Sequence, residues 1–77
     1  METILLRGRV FELTVIGDTI NDDLSLECWD LSQDGGLVFT LVKDTDGTMM
    51  LRPAGPAIPL DLLEQVAAIA GTELTEQ

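Results

Sequence analysis

Carboxylates are the side chains on which this sequence could build chemistry. Fourteen Asp and Glu stand against four Lys and Arg, with no His, for a formal charge of −10 over 77 residues. General acid–base catalysis draws most often on a group that titrates near neutrality. Without His the candidates are a shifted carboxylate, Lys43 or Cys28, and none of them has a partner at a suggestive spacing. Ser25 and Ser32 would act as nucleophiles only beside a base. The residue set points away from an enzyme.

Cys28 is the single cysteine, so no disulfide forms within the chain. A reactive thiol needs a nearby cation or a helix N-terminus, and Glu27 and Asp30 act in the opposite sense. The expectation is a small buried apolar side chain. Asp44-Thr45-Asp46-Gly47 has the oxygen ligands of half a calcium loop, but Thr48-Met49-Met50-Leu51 follows where the closing carboxylate would have to lie. Asp-Gly between two apolar runs instead signals a hairpin. Gly35-Gly36 and Gly47 precede strand-like runs and not a helix, so no phosphate loop is expected. The reading therefore calls for no metal and no cofactor.

Composition narrows the partners further. Each contact to a nucleic-acid backbone needs a cation, and Arg7, Arg9, Lys43 and Arg52 are outnumbered more than threefold, which disfavours direct nucleic-acid binding. No basic leader opens the chain, and no stretch approaches the roughly 20 apolar residues of a membrane span. A cytoplasmic protein with no membrane contact is the expectation.

Binding remains, and the charge is uneven. Residues 1–16 balance Arg7 and Arg9 against Glu2 and Glu12, whereas residues 17–52 set Asp18, Asp22, Asp23, Glu27, Asp30, Asp34, Asp44 and Asp46 against Lys43 and Arg52. A carboxylate cluster of this kind repels itself and steers basic partners. It also serves solubility, the blander reading.

These residues need a scaffold. Residues 3–16 are rich in Ile, Leu, Val, Phe and Thr without helical period and read as strand. Their alternation changes phase: Ile4, Leu6 and Val10 share one parity, Phe11, Leu13 and Val15 the other. One bent strand or two short ones would account for this, with Gly8 near the break. Residues 17–23 are a loop rich in Gly, Asn and Asp. Residues 24–31 alternate, with Leu24, Leu26 and Cys28 on one side and Ser25, Glu27 and Trp29 on the other; Leu31 shares the parity of Trp29. Trp29 is thus either a core ring or an exposed anchor on the sheet face without the helix.

A turn at Gln33-Asp34-Gly35-Gly36 leads to residues 37–43, apolar enough between Leu37 and Val42 for a central strand covered on both faces. A short strand at 48–52 follows the Asp46-Gly47 turn. In residues 59–70, Leu62, Leu63, Val66, Ile69 and Ala70 follow helical spacing, with Pro59 at the start, Asp61 and Glu64 in the early turns and Gly71 just past the end. Residues 72–77 are expected to be a flexible tail. The fold class is α+β: a four-stranded antiparallel meander in a single domain, with one C-terminal amphipathic helix on one sheet face.

Two functions fit. In the first, an acidic inhibitor or antagonist occludes the basic, nucleic-acid-binding surface of another protein, as antitoxins, immunity proteins and phage anti-defence proteins do. Asp18, Asp22, Asp23, Glu27, Trp29, Asp30, Asp44 and Asp46 would form its partner-binding surface. In the second, an accessory or structural subunit docks through an apolar sheet face or edge, including as a homodimer.

Overall fold

A computed structural model describes residues 2–18, 23–32, 36–55 and 58–76, with Asp18 and Asp23 described by their backbone alone. Among these residues five strands and one helix follow in order: β1 (Glu2–Leu6), β2 (Arg9–Asp18), β3 (Asp23–Asp30), β4 (Gly36–Lys43), β5 (Met49–Pro53) and α1 (Leu60–Thr75). The strands form one antiparallel sheet in sequence order. The α+β class and the meander are as the sequence predicts, with one strand more than expected.

The extra strand arises at Arg7 and Gly8, both at positive φ (51° and 76°). Leu6 pairs directly with Arg9, so these two residues make a tight hairpin turn of the kind whose twist suits adjoining strands. A two-residue turn inverts parity. Ile4 therefore shares a face with Phe11, while Val10 pairs with Leu5 on the other face and not with Ile4 and Leu6. Residues 3–16 are two strands, and the phase change marked their junction.

The core lies between one sheet face and α1. Phe11, Leu13, Leu26, Cys28, Phe39 and Leu41 meet Leu62, Val66, Ala70 and Leu74, all of them buried. α1 runs to Thr75, past the expected end at residue 70, so residues 72–75 are helix and not a tail. Leu74 continues the stripe of Leu62, Val66 and Ala70 at i+4 spacing, and its burial outweighs the helix-breaking tendency of Gly71. Gly71 lies within the helix, where an added Cβ would sit 3.8 Å from the Met49 sulfur.

β4 is covered on one face only, contrary to the reading of its apolar run. The β3–β4 register slips between Cys28 and Trp29: Cys28 pairs with Phe39, whereas Trp29 pairs with Leu37. Val38 is the extra residue of this bulge and is buried in the core cluster beside Phe39. Leu37, Thr40 and Val42 are only half-buried. An unbroken apolar run here reflects the bulge and not a second covering layer.

Candidate interaction surface

No described element packs on the sheet face opposite α1. Its cross-strand rows follow from the register. Ile16, Ser25, Val42 and Met50 make one row, and Thr14, Glu27, Thr40 and Arg52 the next. Thr3, Glu12, Trp29 and Leu37 make a third, and Leu5 pairs with Val10 beyond it. Leu5, Ile16 and Met50 are 69%, 45% and 54% exposed, unusually open for large apolar side chains on one side of a small sheet. Trp29 lies on this face half-buried, outside the core cluster and short of a fully exposed anchor. Leu31, exposed just beyond β3, donates its N–H to the Val10 carbonyl at 2.8 Å.

Alternation divides the methionines. Met49 packs against the core and Met50 faces out. The same alternation puts Arg52 on the uncovered face beside Thr40, across which Glu27 stands on β3. Among the described residues neither Glu27 nor Arg52 has an ion-pair partner; the pairs present are Arg7–Asp61 and Arg9–Asp30. Arg52, Val42 and Ile16 were not singled out from the sequence. The parity of residues 49–52 carried the signal once Met49 and Leu51 were assigned inward.

The expected acidic surface divides into separate places. Asp30 is only 6% exposed, and its Oδ1 accepts hydrogen bonds from the Ser32 backbone N–H (3.0 Å) and hydroxyl (2.6 Å) while Oδ2 lies 3.5 Å from the Arg9 guanidinium. That carboxylate is engaged inside the fold. Beside it, burial first and the Asp30 charge second push the Cys28 thiol up to about 12, so the thiolate is strongly disfavoured.

Asp44 and Asp46 are exposed in the β4–β5 turn. Asp46 accepts the Thr48 N–H at 2.9 Å, which holds its carboxyl below the usual carboxylate range and closes a hairpin through Gly47 at φ 90°. Leu24 pairs with Lys43, so this turn and the facing ends of β2 and β3, at Asp18 and Asp23, share one end of the sheet. Asp22 lies outside the described residues, as do Gln33, Asp34 and Gly35 of the expected β3–β4 turn. Glu27 and Trp29 lie apart from that end, on the uncovered face.

A second carboxylate group joins the start of β1 to the end of α1. A hydrogen bond with Glu2, then partial desolvation and the charges of Glu2 and Glu76, raise the Glu73 carboxyl above its ordinary range. No helix among the described residues is long and apolar enough to cross a membrane. Among the described residues, fold and surface thus define an α+β domain with one helix-covered and one open sheet face. Set against protein-family models, curated proteins and solved structures, the chain matches none of them.

Proposed function

We propose that this chain is a non-enzymatic protein-binding module that docks through its open sheet face. The observation that supports this reading most is the row of Ile16, Val42 and Met50, with Trp29 and Leu37 beyond Glu27 and Thr40, on a face without a covering layer. Covering such a face returns apolar surface that a domain of 77 residues has too little core to hide by itself. Trp and Met suit the purpose: one brings a large rigid area, the other adapts to the surface it meets. The net charge of −10 then keeps the unbound module apart from other anions.

A photo-crosslinking side chain at Met50, compared with one at Glu64 on the exposed side of α1, tests the reading in cells that make the chain. Protein adducts are expected from position 50 and not from position 64. Adducts from position 64 alone, or from neither, reject it.

The β3–β4 register supports a second reading, an acidic antagonist that blocks a basic surface of another protein, because it brings both acidic connections to one end of the sheet. In that case Asn at positions 18, 22, 23, 44 and 46 weakens partner binding and flattens its salt dependence, while changes at Met50 do little. Unaltered binding by the Asn variant removes this reading.

A further inference from the structure

We infer that the occupant of the open sheet face is a second copy of this chain, related by a two-fold axis that runs along β4 over Thr40. This rests on the open face being an interface and goes on to name its partner. Glu27 on β3 and Arg52 on β5 flank Thr40 at the same level, so the central strand separates two opposite charges. Strands lie about 4.8 Å apart, which places their backbones roughly 10 Å from each other with Thr40 between them. Among the described residues neither has an ion-pair partner, and Glu27 is half-buried between Thr14 and Thr40, on the same face as Trp29. A carboxylate in that position is costly to cover unless a cation meets it.

A two-fold axis parallel to β4 exchanges the positions of β3 and β5. It sets Glu27 of each copy over Arg52 of the other, and both charges are answered at once. The same operation pairs the neighbouring rows over β3, β4 and β5, while Ile16 on β2 stays outside the overlap. Val42 meets Val42 of the second copy, Met50 meets Ser25, and Leu37 meets Leu37 on the far side of the charged row. Trp29 falls over the end of β5, near Ala54. Glu12, on β2, lies outside the three strands that overlap, so within the overlap the charges balance one to one. A partner that was uniformly basic would match Glu27 but oppose Arg52. Self-complementarity of this kind is what an isologous interface requires.

Three overlapping strands make an interface at the small end of the range, so association is concentration-dependent. The formal charge of −10 on each copy opposes it at long range, and salt relieves that repulsion. Sedimentation velocity of the full chain, from about 5 µM to about 500 µM in about 0.3 M salt, is therefore expected to show a monomer–dimer equilibrium.

Glu27→Arg and Arg52→Glu each place like charges opposite one another and should raise the dissociation constant at least about tenfold. An equimolar mixture of the two folded variants should dimerise again, because each altered position then faces its opposite. Val42→Arg and Val42→Glu repeat the design at the axis, each a monomer alone and a dimer when mixed. A wild-type chain that stays monomeric throughout, or mixtures of folded variants that do not associate, overturn the two-fold arrangement. Crosslinks from Met50 to some other protein, with a monomeric wild type, would reject the second copy and leave the open face as an interface.

Discussion

Arg7 in the β1–β2 turn donates from Nη1 to Oδ2 of Asp61 in the first turn of α1 at 2.6 Å, joining the two ends of the chain across 54 residues. Both side chains are exposed, so the pair orients the helix more than it stabilises the fold. The Arg7 hydrogen bond, ahead of its charge, holds the Asp61 carboxyl below its usual range. Its contribution is therefore present above the ordinary carboxylate pKa and is lost as pH falls through the lower folded value. Glu73 acts with the opposite sign: raised in the folded state, it favours folding more as pH falls and opposes it above its folded value. Carboxyl-carbon NMR titration should show Asp61 rising toward its ordinary range in Arg7→Ala, short of it because the Leu62 N–H still donates to its carboxylate. Glu73→Gln should raise the melting temperature at pH 7 and lose that advantage on acidification.

Gly55 is expected to tolerate no side chain. Its φ is +70°, and an added Cβ would stand 2.3 Å from the Leu37 carbonyl oxygen, which belongs to backbone and cannot move aside cheaply. Gly8 shares the left-handed conformation, at φ +76°, but an added Cβ there meets nothing within 4 Å. Gly8→Ala should cost about 1 kcal/mol and Gly55→Ala more than about 2 kcal/mol in urea unfolding. Equal costs at the two sites would contradict the close approach of the residue 54–55 segment to β4.

Asp30 should behave as a structural carboxylate. Asp30→Ala removes the acceptor of both Ser32 groups and the counter-charge of Arg9, and about 1–3 kcal/mol of stability should go with it. Asp30→Asn keeps an acceptor for Ser32 and should cost less. Neither change frees Cys28, whose thiol is raised first by burial. Thiol-reactive probes should label Cys28 only at the rate of unfolding, in the wild type and in Asp30→Asn alike. Fast labelling of folded protein would refute its enclosure.

Leu74→Ala tests the last turn of the helix. The side chain is fully buried against the core, so its truncation should cost about 2–5 kcal/mol. Thr75→Ala, at an exposed position, should change stability little in the same denaturant titration. A flexible tail would make the two substitutions equally silent.

Much of the scaffold was legible because period is a local property. The stripe of Leu62, Val66 and Ala70 marked the helix, and Leu24, Leu26 and Cys28 marked the inward side of β3. The end of the helix was misplaced at Gly71, since local propensity speaks against Gly while only the core rewards Leu74. The candidate site was less legible. Trp29 and Glu27 were marked by their parity, but Arg52 and Met50 became its neighbours only through strand pairing, and Asp30 left the candidate surface because Arg9 and Ser32 enclose it.

The order of residues alone determined the α+β class, the charge of −10 and the scarcity of groups for catalysis, since each follows from composition and short-range period. Tertiary structure decided which side of the sheet stays open, where the Cys28 bulge turns Val38 inward, and that Glu27 and Arg52 share a row. Those are matters of register between segments far apart in the chain. A one-residue slip in pairing would send each side chain of a strand to the opposite face without altering a single local preference.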